Sequence, residues 1–165
     1  MKQMSPLLIL AIFFIFINSG LQAQSKEDAK QHNKELLESF ISTLNDHNAE
    51  QFSMLFTDSC HYLEVNSGRT YTSREAIAGY ILRTIEGIPN SQFEVLHMMA
   101  NDELGMVEWL WKGTNTVGYP QMGIPATGKY MELYGVSIME FQNGKIHRNR
   151  DYWDTDSFMK KIGAK

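Results

Sequence analysis

Between Lys26 and Asn45 the apolar residues Leu36, Leu37, Phe40, Ile41 and Leu44 fall three and four apart, the spacing that draws one stripe along a helix. Asn45-Asp46-His47-Asn48 ends it, and Phe52, Leu55 and Phe56 predict a short second helix over 49–56, so the two form a hairpin. The period then changes. From Asp58 to Val65, Cys60, Tyr62 and Glu64 share one face and His61, Leu63 and Val65 the other, as a strand requires. Asn66-Ser67-Gly68 supplies a turn and Arg69–Tyr71 a short returning strand. Ser73 occupies the N-cap position of a third helix, whose stripe of Ile77, Tyr80, Ile81, Leu82 and Ile85 stops at Gly87 and Pro89.

Beyond Gln92 the pattern is that of strands over 93–99, 105–112, 129–142 and 145–154, with turn signals at Asn101-Asp102 and Asn143-Gly144. Helices first and a four-stranded antiparallel meander afterwards predict an α+β fold rather than a parallel sheet with alternating helices. A long curved sheet wrapped around three N-terminal helices has an open end, and such an end is a natural apolar pocket for a small molecule. Gly118–Gly128, with Pro120 and Pro125, reads as a mobile loop over that pocket.

The first residues change the picture of where the domain works. Lys2, the apolar run from Leu7 to Ile17 and Leu21-Gln22-Ala23 have the layout of a secretory signal over residues 1–23, cut after Ala23. The run is shorter than the about 20 residues of a permanent span, so no stable membrane insertion is expected after cleavage and the product is secreted or periplasmic. Residues 24–165 have the size of one domain. Cys60 is the only cysteine, so intrachain disulfides are excluded and it reads as a small buried hydrophobe. A net charge of -4 without a basic cluster argues against nucleic acid and anionic membrane surfaces, and in favour of a small neutral or apolar molecule. His61, His97 and His147 lack the spacing of a metal motif.

Candidate chemistry concentrates at the end of the chain. The segment from Gly144 to Asp154 places two carboxylates, two aromatics and two arginines on one strand. In a regular strand Asp151 and Asp154 face opposite sides, so one alone can look into a cavity. Asp154 also stands where a C-terminal helix begins, where an aspartate caps backbone N–H groups; Asp151 also reads as an ion-pair partner of a neighbouring arginine. Trp109 and Trp111 share a parity with Val107 and form an aromatic row. Tyr62, Tyr80, Tyr134 and Tyr152 are candidate cavity hydroxyls.

Val107-Glu108-Trp109, Lys112-Gly113-Thr114, Gly123–Gly128, Gly135-Val136-Ser137-Ile138, Glu140-Phe141, Gly144-Lys145-Ile146 and Tyr152-Trp153-Asp154, in that order and spacing, resemble the SnoaL-like polyketide cyclases of the nuclear transport factor 2-like superfamily. The resemblance implies a cone-shaped α+β barrel, a curved antiparallel sheet around three N-terminal helices, with a buried cavity, no metal or organic cofactor, and homodimerisation through the sheet. It implies a small carbonyl-containing molecule as ligand and a cyclase, isomerase or lyase in which an aspartate is acid and base, a role carried onto Asp154 with Asp151 in reserve. Asn115, Trp109, Tyr62, Tyr134 and Tyr152 are the candidate substrate-binding residues. Where many members carry Gly-Thr-His, this chain has Gly113-Thr114-Asn115, and an amide donates a hydrogen bond to an enolate oxygen but does not shuttle a proton. A non-catalytic binding domain of the same fold is the alternative.

Overall fold

The computed structural model describes residues 6–165, with side chains from residue 24 onward. The expected export signal, residues 1–23, lies outside the residues whose side chains are described. The order is α1 (Pro6–Asn45), α2 (Ala49–Met54), β1 (Phe56–Glu64), β2 (Arg69–Tyr71), α3 (Arg74–Gly87), β3 (Gln92–Ala100), β4 (Leu104–Thr114), β5 (Tyr130–Gln142), β6 (Lys145–Trp153) and α4 (Thr155–Lys161), with one 3-10 turn at Pro120–Met122 between β4 and β5. This is the expected α+β arrangement: helices at the N-terminal end, then a curled, unclosed six-stranded sheet in the order β2-β1-β6-β5-β4-β3.

Local signals account for most element ends. Ser73 accepts from the Ala76 amide and starts α3, and Asn48 accepts from the Gln51 amide and starts α2. Helix α2 is shorter than expected: Phe56, fully buried and 5.6 Å from the Phe52 ring, opens β1 instead, since a core position is available to it in either conformation. Asn143 and Gly144 both have positive φ, 52° and 69°, which suits the tight primed turn joining two antiparallel strands.

One pairing departs from the expected separation of hairpin and meander. Strand β1 runs parallel to β6, with Tyr62 opposite Asn149 and Glu64 opposite Asp151, and so fuses the two parts into one sheet. The other neighbours are antiparallel. A parallel pair needs a long crossover, here α3 and the whole meander. The stripe of α1 (Leu37, Phe40, Ile41, Leu44), with Phe52 and Ile77, packs on the concave face, against Val107, Trp109, Met139 and Ile146. Burying this apolar surface is the main force that keeps the sheet curled around the helices.

Candidate active site in the cone

A cavity of about 470 Å³ opens between α1, α3 and the concave face of the sheet. Phe93, Trp109, Trp111, Trp153 and Phe158 form one wall, and Tyr62, Tyr71 and Tyr80 another. Trp111 is fixed between two rings, stacked on Phe93 at 5.6 Å and on Phe158 at 5.4 Å. Trp109 lies against β5 because its cross-strand partner is Gly135: a Cβ there would stand 2.1 Å from the indole ring. Tyr71 stacks on Tyr80 at 4.7 Å, and Tyr62 meets the edge of Tyr80 at 5.5 Å.

The cavity holds a buried carboxylate, Asp151. Ser137 donates to its Oδ1 at 2.7 Å, Asn149 Nδ2 donates to the same oxygen at 2.6 Å, and the Tyr62 hydroxyl donates to Oδ2. Trp109 Nε1–H donates in turn to Ser137 Oγ at 3.0 Å, which orients the serine towards the carboxylate. Burial pushes the Asp151 carboxyl above its ordinary range, against the lowering effect of the three donors, and nearby Glu64 adds to the rise. A carboxylate has about four acceptor positions, so three donors leave one on Oδ2. Burial and the Asp151 charge hold the Tyr62 phenol well above its usual value, which keeps it a donor. Burial and then Glu64 do the same for Tyr80.

Asp154 is placed differently. It is the N-cap of α4: its Oδ1 accepts from the amides of Asp156 at 2.9 Å and Ser157 at 3.2 Å, and the Ser157 hydroxyl donates to Oδ2 at 2.6 Å. The Ser157 hydroxyl and backbone N–H groups hold its carboxyl below the usual range. It is solvent-exposed and does not line the cavity. The structure thus brings the reserve aspartate into the cavity and gives the first choice a capping role.

The expected binding residues divide in the same way. Trp109 and Tyr62 line the cavity. Tyr134 and Tyr152 lie on the convex face, 61% and 39% exposed, where they border a shallow groove with Met106 and Glu108. The reason is strand parity: Tyr134 alternates with buried Leu133, and Tyr152 with buried Asp151. Asn115 is buried outside the cavity. Its Nδ2 donates to Pro125 O and Thr127 Oγ1, each at 3.1 Å, and to Ile162 O at 3.3 Å, so it fastens the loop after β4 to the C-terminus. That loop, expected to be mobile, is held further by the Gly118 amide on Gly87 O, and it brings Tyr119, Gln121 and Met122 to the cavity.

Sequence reasoning passed over one group as a site residue and gave a second only as part of an aromatic row. Glu64, 3% exposed, lines the cavity and accepts from Ser67 Oγ at 3.1 Å and from the Tyr71 hydroxyl at 3.4 Å. Its parity with Tyr62 was the available signal. Trp111, also in the lining, has a buried indole N–H with no hydrogen-bond partner. Among the described residues no three His, Cys, Asp or Glu side chains converge as a metal set.

A family profile described as SnoaL-like polyketide cyclase matches residues 34–162. No curated protein matches the chain in sequence. Similar solved structures include a Jannaschia protein assigned to the SnoaL-like polyketide cyclases, with TM-score 0.74, 15% identity, and coverage of 82% of this chain and 94% of that one. A Xanthomonas campestris protein assigned as a polyketide cyclase gives 0.72 and 16%, covering 81% and 98%. A Catenulispora acidiphila protein of ketosteroid isomerase-like fold, solved with trimethylamine, gives 0.68 and 19%, covering 78% and 92%. At these identities the structural likeness is one of fold.

Proposed function

Because the chain belongs to the SnoaL-like polyketide cyclase family, we propose that it is a cofactor-independent acid–base enzyme acting on a small carbonyl compound, with Asp151 as its base. The observation that carries this reading is the desolvated Asp151 carboxylate, which lines an aromatic cavity and keeps one acceptor position. Its raised affinity for a proton brings it closer to the range in which a general base is effective at neutral pH. In the reaction Asp151 takes a proton from the carbon beside the carbonyl, and the electron pair moves onto the carbonyl oxygen. The unpartnered Trp111 N–H is the donor available to that oxygen. The enolate carbon either attacks a second carbonyl of the same molecule, whose oxygen then takes the proton from Asp151, or recovers the proton at another carbon, and either way Asp151 returns to its ionised form.

The test is deuterium exchange at the α-carbon of a panel of aryl ketones and cyclic 1,3-dicarbonyl compounds. Exchange catalysed by the wild type and lost in Asp151→Asn supports the reading; equal exchange in both proteins overturns it. One observation favours the second reading, a binding cavity without chemistry: three donors already occupy most of the acceptor capacity of Asp151. Ligand uptake without exchange is the result that selects it.

Two further parts belong to the same reading. Export rests on Lys2 and the apolar run Leu7–Ile17, and N-terminal sequencing of the processed protein should begin at Gln24. Homodimerisation through the sheet is supported by the exposed aromatics Tyr130, Tyr134 and Tyr152 on its convex face, and sedimentation equilibrium tests it.

A further inference from the structure

The chain has five arginines, and they fall into two groups. Arg74 holds Asp58 at 2.8 Å, Arg150 holds Glu140 at 2.7 Å, and Arg148 approaches the same glutamate at 4.0 Å. Arg69 and Arg83 are the two without a carboxylate partner among the described residues, and both line the cavity. They come from different elements, β2 and α3, yet line the same cavity as Tyr71, two residues from Arg69 on β2; burial and Glu64 raise the Tyr71 phenol and both guanidiniums oppose that rise. Both are exposed, whereas Asp151 and Glu64 are buried, so the arginines stand at the solvent side of the cavity.

Charge bookkeeping gives this placement a meaning. Glu64 is the negative group near Tyr71 on that side, and one guanidinium balances it. Asp151, the other carboxylate of the lining, is buried among three donors of its own, so the second guanidinium is unmatched at the mouth, beside an aromatic wall. A guanidinium presents a planar fork of donors that matches a carboxylate, and a partly desolvated mouth strengthens the contact. A dianionic phosphate would exceed the charge of the unmatched guanidinium by one; a monocarboxylate matches it. The stacked Tyr71–Tyr80 pair and the Trp109–Trp111 wall favour a flat, unsaturated body behind the charged group.

We infer that Arg69 and Arg83 form an anion-binding mouth, and that the ligand of this cavity is an amphipathic aromatic monocarboxylate held with its carboxylate between the two guanidiniums and its ring system inside. The inference rests on the reading of the cavity as a small-molecule site. It is tested by calorimetric titration of the full chain with 2-naphthoate, its methyl ester and 2-naphthylmethylamine. The acid should bind about tenfold more tightly than the ester, and the amine more weakly than either. Arg69→Gln and Arg83→Gln should each weaken the acid about tenfold and leave the ester unchanged. Acid and ester binding equally to the wild type would remove the anion site while leaving the cavity reading intact. Equal losses for acid and ester in the variants, or preference for the amine, would also overturn the inference. Binding of none of the three would overturn both the inference and the cavity reading.

Discussion

Asp151 and Asp154 are three residues apart and experience opposite environments. The first sits on the concave face of β6, 5% exposed, with its proton affinity raised by burial. The second begins α4 in solvent, with its proton affinity lowered by the Ser157 hydroxyl and backbone amides. Both carboxylates accept three hydrogen bonds. What separates them is therefore not the number of donors but the loss of water around one of them, the effect that can prepare a carboxyl for proton transfer near neutral pH. The two faces of the sheet repeat the lesson: Tyr62 is buried beside Asp151 on the inside, while Tyr134 and Tyr152 present the same phenol to solvent on the outside.

The largest expected effect separates the two aspartates directly. Asp151→Asn should lower α-proton exchange by about 10²–10⁴-fold, the usual contribution of a general base, whereas Asp154→Ala should leave the exchange rate unchanged. Next comes the wall that supports the site. Gly135→Ala puts a methyl group into the Trp109 indole and should cost about 1–3 kcal/mol in urea unfolding, with a loss of Trp109-to-Ser137 hydrogen bonding. Tyr62→Phe removes one donor from the ionised Asp151, so the exchange rate should reach half its maximum about one pH unit higher than in the wild type.

Smaller effects sharpen the contrast through stability. Asp154→Ala should lower Tm by a few degrees through loss of the cap, and Asp154→Asn by less, because an asparagine caps almost as well. The pH dependence has opposite signs at the two sites. The folded state binds the Asp151 proton more tightly than the unfolded state, so this group's contribution falls as pH rises from about 4 through the folded pKa. Asp154 has a lowered folded pKa, so its contribution is present above the ordinary carboxylate range and is lost as pH falls through the lowered value. Relative to the wild type, the Tm of Asp151→Asn should therefore rise and that of Asp154→Ala should fall as pH increases through the acidic range. Tyr134→Ser should change neither exchange nor ligand affinity, which calorimetry checks.

The elements were legible because each carries its own period. The α1 stripe, the Ser73 cap, the Asn143-Gly144 turn and the alternation of Cys60, Tyr62 and Glu64 are local patterns, and the fold follows them. The outward position of Tyr134 was legible too, since it shares a parity with Glu132. The parity of β6 was only partly readable, because the pairing register shifts between Glu140 and Phe141 and turns Ile146 inward out of phase with Arg148 and Arg150. Long-range pairing was not readable at all. Glu64 lies beside Asp151 only because β1 runs parallel to β6, a contact between segments far apart in sequence with no mark in either. Asn115 is equally non-local: its partners lie in the following loop and at Ile162, so an amide that looks like a ligand donor serves to anchor backbone.

The most direct test needs no substrate. Carbon-13 NMR titration of the aspartate side-chain carboxyls, with assignments from the Asp151→Asn and Asp154→Ala spectra, reads both proton affinities in one sample. The resonance lost in Asp151→Asn should titrate above the ordinary value of about 3.9 and the one lost in Asp154→Ala below it. An Asp151 carboxyl that titrates at or below that value would contradict a cavity built around a desolvated base.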